Sequence, residues 1–177
     1  MSALDFKKFL DPTYIKRNTN DLKKLKVTIK KHRVKGAGLY ATKTIKKNNV
    51  IAYYRMTVFK MDGYKSPTKN MYTFTIMTPK GNFSRSLIGD LTLESLPPPC
   101  RGIPFWAYFS NEPSDGEESN AWIDVNVKET FKSRKRLKPG DTVIYKLRAG
   151  RNIRPGEEIL WCYGDAYERS YSTPCDD

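Results

Sequence analysis

The chain has 177 residues, 38% of them apolar, with a formal net charge of +13 and a mean hydropathy of −0.65. That length suits one well-buried core and is short for two, so a single domain is expected. No apolar run approaches the roughly 18 residues of a membrane span, and the N-terminus is too charged for a secretory signal, so a soluble intracellular protein is expected.

Three cysteines, Cys100, Cys162 and Cys175, form an odd set without metal-ligand spacing, and the single His32 has no partner near it in sequence. A reducing compartment and no structural zinc are expected. The charge is uneven: residues 1–88 carry 20 Lys and Arg against four acids, and the remainder 12 against 15. A basic half favours an acidic partner such as nucleic acid or an acidic protein face. A surface tuned for solubility accounts for the same charge equally well.

Residues 1–25 read as a lysine-rich lead-in broken by Asp11-Pro12, with a short helix expected near residues 21–25. Val27-Thr28-Ile29 alternates as a strand. The next segment, Gly36-Ala37-Gly38-Leu39-Tyr40-Ala41, fits the letters of the dinucleotide fingerprint, which also needs a helix opening from it and an acid about 20 residues on. Residues 42–49 are short and polar, and the acidic position falls in a stretch free of acids, so that reading is rejected. Two glycines this close still let backbone amides approach a ligand.

Residues 50–56 and 71–76 read as strands, with Pro79-Lys80-Gly81-Asn82 a hairpin turn between Ile76 and Phe83. Residues 91–104 are irregular, and Pro97-Pro98-Pro99 is locally extended. An aromatic run, residues 105–109, leads into Ser110-Asn111-Glu112-Pro113 and the acidic loop Asp115-Gly116-Glu117-Glu118. Residues 122–127 and 142–147 read as further strands joined by a basic loop, residues 132–140. Many short strands with few helices make a mainly β domain. Last comes Gly156-Glu157-Glu158-Ile159-Leu160-Trp161-Cys162-Tyr163-Gly164, which puts a phenol beside a chain-reversing glycine. Taken alone, that run reads as an ordinary final core strand.

In this order the motifs resemble the SET domain, the fold of many protein-lysine methyltransferases, over about residues 27–164. The segment from Gly36 to Thr42 followed by Ile45-Lys46-Lys47 resembles the family's opening Gly-x-Gly, residues 50–54 its channel strand, and Ala107-Tyr108-Phe109-Ser110-Asn111 with Asn120-Ala121 its Asn-His-Ser motif. Residues 156–164 resemble its closing motif. The resemblance implies a β-clip of several short sheets with few short helices and a knot-like C-terminal threading, an exception to the rule against threaded loops. It divides the chain into a basic lead-in (1–25), a catalytic domain (26–164) and a tail closing the substrate channel (165–177).

The activity implied is S-adenosylmethionine-dependent lysine N-methylation of a protein, histone tails included. Tyr163 and Tyr54 are the implied catalytic residues. Cofactor contacts are implied at Lys35, Gly36, Ala37, Gly38, Leu39 and Tyr40, and at Tyr108, Asn111, Glu112 and Tyr163. Tyr54, Trp161 and Tyr167 are placed in the substrate channel, and no metal is implied. The plainer reading of a tyrosine, core packing, is preferred for Tyr72 and Tyr108.

Three departures stand out: Glu112-Pro113 replaces His-Ser, Cys162 replaces an acid, and Trp161 stands where the family has Phe or Tyr. The tail lacks the cysteine cluster that some relatives use for zinc, leaving Tyr167 and Tyr171 as candidates to close the channel by packing. The acidic loop is a candidate attractor of a basic peptide, and the cluster 132–138 a nuclear address or a phosphate contact. Nucleus is favoured over cytoplasm, and no membrane partner is implied. The alternative is a catalytically silent SET-like module that binds chromatin or nucleic acid through the basic half.

Overall fold

The computed structural model describes residues 26–32, 34–66, 72–91, 107–165 and 167–175. The lead-in with its expected helix, Cys100 and the Pro97–Pro99 stretch lie outside them. Strands β1 (Val27–His32) and β2 (Gly36–Ala41) pair antiparallel in a two-stranded sheet. The others form a five-stranded antiparallel sheet in the order β4-β5-β3-β7-β6: β3 (Val50–Lys60), β4 (Thr73–Met77), β5 (Phe83–Asp90), β6 (Ala121–Asp124) and β7 (Thr142–Ala149). Helix is nearly absent among the described residues, limited to a 3-10 turn at Ala107–Phe109 and one turn, α1, at Val127–Thr130.

Side-chain alternation explains the sheet. In β3, Tyr54, Met56 and Val58 point inward while Tyr53, Arg55 and Thr57 point outward, the period of two that a half-buried strand requires. β7 answers with Val143, Tyr145, Leu147 and Ala149 buried, and Tyr54 faces Tyr145 across the ladder. A register shift between Val50 and Ala52 lets Ile51 and Ala52 both turn inward. The expected hairpin is present, with Met77 facing Phe83 and Thr78 donating to the Asn82 carbonyl at 2.7 Å.

Two expectations need correction. β6 ends at Asp124 instead of reaching residue 127, because the chain enters α1 through Asn126, whose φ of 44° is left-handed. The closing run is not a regular strand: it makes isolated bridges, Tyr40 with Glu158 and Asn111 with Leu160, because its neighbours on either side come from different elements.

The cysteines also differ from expectation. Gly164, at φ 91°, reverses the chain so that the tail returns alongside the closing run, and Cys162 and Cys175 are joined in a disulfide across 13 residues. A reducing compartment does not favour such a bridge. Among the described residues no helix is long and apolar enough to cross a membrane, and no group of three metal-ligating side chains converges.

Opening a loop of this size removes about 3 kcal/mol of stabilisation. Cys162→Ser/Cys175→Ser is therefore expected to lower the thermal midpoint by roughly 6 to 12 °C, checked by calorimetry against the parent, with the parent plus a dithiol reproducing the shift.

Candidate active site

The site is built on residues 158–161. On one side this segment docks against β2, with Ile159 N–H donating to the Leu39 carbonyl at 2.7 Å and Ala41 N–H to Glu157 at 2.9 Å. On the other, Trp161 N–H donates to the Asn111 carbonyl at 3.1 Å, and the Leu160 carbonyl accepts from both Asn120 and Ala121. The buried Asn120 amide completes the enclosure, donating to the Glu158 carbonyl at 2.7 Å and accepting from Leu160 N–H at 3.0 Å. The closing run thus lies between the two asparagine segments on one side and the glycine strand on the other.

Beside β2 lies a polar cluster centred on Glu158. Asn111 Nδ2 donates to Glu158 Oε1 at 2.8 Å and to the Ala37 carbonyl at 3.0 Å, while the Tyr40 hydroxyl donates to Glu158 Oε2 at 3.1 Å. Burial and the Glu158 charge push the Tyr40 hydroxyl up to about 12. Gly38 leaves room for this cluster: a Cβ would meet Glu158 Oε1 at 2.5 Å and the Tyr40 ring at 2.9 Å, so the carboxylate would have to shift. His32 lies close by, its Nδ1 accepting from Lys35 N–H at 2.9 Å and its Nε2 standing 3.9 Å from Glu158 Oε2. The Lys35 ammonium spans the gap to the acidic loop, donating to the Glu112 carbonyl at 2.9 Å and to Glu117 at 2.5 Å.

Next to this cluster is an aromatic wall. Trp161 lies 5.8 Å from Tyr54, 5.0 Å from Tyr163 and stacked on Phe74 at 6.1 Å, and Tyr167 meets Tyr163 edge-on at 4.9 Å. Its hydroxyls are ordered by a directed chain. Ser110 Oγ donates to the Ala107 carbonyl, so it accepts from Tyr54, and the Tyr54 oxygen accepts from Trp161 Nε1 at 3.0 Å. Tyr163 donates to the Ser110 carbonyl at 2.9 Å, which leaves its oxygen lone pairs as acceptors. Burial raises the phenol pKa of both Tyr54 and Tyr163, so both stay protonated at neutral pH.

Glu112 faces inward and is 4% exposed. Its carboxylate accepts from Tyr163 N–H at 2.6 Å, from Arg169 at 2.7 and 2.9 Å, and from the Tyr171 hydroxyl at 2.9 Å. Burial alone pushes its pKa up, but hydrogen bonds from Arg169, the Tyr163 backbone and Tyr171 outweigh that and hold it below the usual carboxylate range.

The structure brings the sequence-derived residues together in two adjoining groups: Lys35 to Tyr40 with Asn111 and Glu112, and Tyr54 with Trp161, Tyr163 and Tyr167. Leu39 is fully buried and takes part through its carbonyl. Tyr108 is buried, edge-on to Tyr72 at 6.4 Å and against Phe109 at 4.7 Å. Sequence reasoning missed Phe74, Glu158 and Arg169 as members of the site. Glu158 lay within the closing motif, whereas Arg169 carried no signal in a short polar tail. The acidic loop is less available to a peptide than its composition suggests, because Glu112 is taken by Arg169 and Glu117 by Lys35.

Because the folded pKa of Glu112 is depressed, its contribution is complete above about 4.5 and is lost as pH falls through the folded value. Glu112→Gln is expected to cost about 3 kcal/mol at pH 7 by stranding Arg169. Urea unfolding at a series of pH values checks this, with the parent and variant curves converging at the acid end.

The sequence profile of the SET domain matches residues 36–164. No curated protein sequence matches the chain. Among solved structures, the chain is similar to CpSET8 from Cryptosporidium (TM-score 0.52, 19% identity, covering 78% of this chain and 57% of that one). It is also similar to the methyltransferase domain of human PR domain-containing protein 2 (TM-score 0.48, 21% identity, covering 89% and 87%). A Plasmodium falciparum protein provisionally named as a histone methyltransferase gives a TM-score of 0.49 at 19% identity, covering 80% and 96%. With the profile spanning most of the chain and the closing run hydrogen-bonded to the Asn111 and Asn120 segments, this protein belongs to the SET-domain family.

Proposed function

We propose that this protein is an S-adenosylmethionine-dependent protein-lysine N-methyltransferase. The observation that carries the reading is Tyr163: a buried, protonated phenol whose proton is committed to the Ser110 carbonyl, leaving its oxygen as an acceptor within the aromatic wall. Such a group orients an amine without adding charge.

The donor set suits a zwitterionic cofactor. Glu158, with its side chain 9% exposed, offers a carboxylate to a cationic end, Lys35 keeps one N–H beyond those given to Glu112 and Glu117, and Asn111, whose amide N–H groups are held by Ala37 and Glu158, fixes that carboxylate beside the glycine strand. Asn111, Glu158, Lys35 and residues 36–40 are the groups assigned to hold it. When bound, S-adenosylmethionine supplies an electrophilic methyl group on a sulfonium.

The protein's own part is chiefly positioning. A lysine ammonium has a free pKa near 10.4, so presenting the neutral amine at pH 7 costs roughly 4 to 5 kcal/mol. Burial against Tyr54, Phe74, Trp161 and Tyr163 disfavours the ammonium and lowers that cost. Tyr163 is not the base, because its own proton is held; the ammonium proton leaves to solvent before the nitrogen lone pair engages. Tyr54 acts as wall, since its hydroxyl is already tied to Trp161 and Ser110. Tyr167 and Tyr171 bring the tail over this end of the site. Lys132, Lys135, Arg136 and Lys138 are exposed, which supports a nuclear address or phosphate contact for that loop.

Tyr163→Phe is expected to lower methyl transfer about 10²-fold, the loss typical of a misoriented nucleophile, while the thermal midpoint and cofactor affinity persist. Transfer of labelled methyl to core histones and to a lysine-peptide array checks this. Undiminished turnover in the variant removes Tyr163 from the mechanism.

A further inference from the structure

Of the ion pairs among the described residues, that between Arg169 and Glu112 is the most buried, with side chains 9% and 2% exposed. It joins the tail to the segment after Asn111. Arg169 donates Nε to Glu112 Oε2 at 2.9 Å and Nη2 to Oε1 at 2.7 Å, a two-pronged contact. The same guanidinium donates to the Gly164 carbonyl at 3.0 Å and the Tyr167 carbonyl at 3.1 Å, so one planar group ties together the turn that follows Tyr163. A lysine has one point charge and cannot reproduce that fork.

Both ends lead to Tyr163. Glu112 Oε1 accepts the Tyr163 backbone N–H at 2.6 Å, and the Tyr167 ring packs edge-on against the Tyr163 ring while Arg169 lies 5.7 Å from the Tyr167 centroid. Without the guanidinium, a buried carboxylate would be left without its counter-charge and would turn toward water, releasing the N–H it holds. We propose that Arg169 is a positioning residue that fixes Tyr163 through Glu112 and Tyr167, making the tail part of the machinery that aims the phenol.

The kinetic arm of the test rests on the methyl-transfer reading above; the exchange arm does not. In the intact chain, Arg169→Met is expected to speed hydrogen exchange at the Tyr163 amide at least about tenfold more than at the amides of the five-stranded sheet, which respond only to the global loss of stability. The kcat falls about 10²-fold while the peptide KM stays within about twofold. Arg169→Lys gives an intermediate loss on both readouts, and Glu112→Gln/Arg169→Gln, which leaves no lone charge, recovers part of it.

Unchanged Tyr163 exchange in Arg169→Met overturns the proposal. So does a rise in KM at constant kcat, which makes Arg169 a substrate-binding group, or a loss of protection at Tyr163 no greater than in the five-stranded sheet, which makes it a structural strut. If the parent shows no methyl transfer, the exchange arm alone decides.

Discussion

The rest of the site depends on the enclosure of residues 158–161. This segment belongs to no regular sheet, yet it is buried at Ile159, Leu160 and Trp161, and buried backbone polar groups must find partners. Leu39 satisfies Ile159, Asn111 satisfies Trp161, and a single side chain, Asn120, satisfies both the Glu158 carbonyl and the Leu160 N–H. Each such group left without a partner costs roughly 1 to 3 kcal/mol. Three distant stretches of chain are therefore held in one place by the needs of one short backbone segment. The glycine strand, the asparagine motif and the phenol meet because that segment lies between them.

The carboxylate of Glu112 decides how the end of the domain is held. A carboxylate accepts and cannot donate, so it draws donors toward itself: Arg169, Tyr171 and the Tyr163 N–H converge on two oxygens. The disulfide from Cys162 to Cys175 fixes the far end of the same tail. This chain closes the region with one buried ion pair, two tyrosines and one covalent bond. The Tyr167 ring, the guanidinium and the Tyr163 ring form one packed group at the mouth of the aromatic wall.

Much of this was legible in the residues. The β-rich run of residues 50–56 and the alternation of 142–147 identified β3 and β7, the Pro-Lys-Gly-Asn turn identified the β4–β5 hairpin, and the absence of a helix after Gly38 removed the dinucleotide reading. What escaped depends on contacts distant in sequence. Cys162 and Cys175 carry no spacing signal, and their pairing follows from the reversal at Gly164. Arg169 is an ordinary cation in a polar tail until Glu112, 57 residues earlier, is placed beneath it. Glu158 stood in view as one of two adjacent acids, but nothing in its letters says that it points at Gly38 while Glu157 points at Arg151.

The central claim is that the glycine strand and Asn111 form one cofactor site beside Tyr163. Calorimetric titration of the intact chain with S-adenosylmethionine tests it most directly. The account predicts one saturable site per chain, whose affinity falls at least about tenfold, the scale of one lost buried hydrogen bond, when Asn111→Ala removes the amide that bridges Ala37 and Glu158. Absence of binding, or binding that Asn111→Ala leaves untouched, would contradict it.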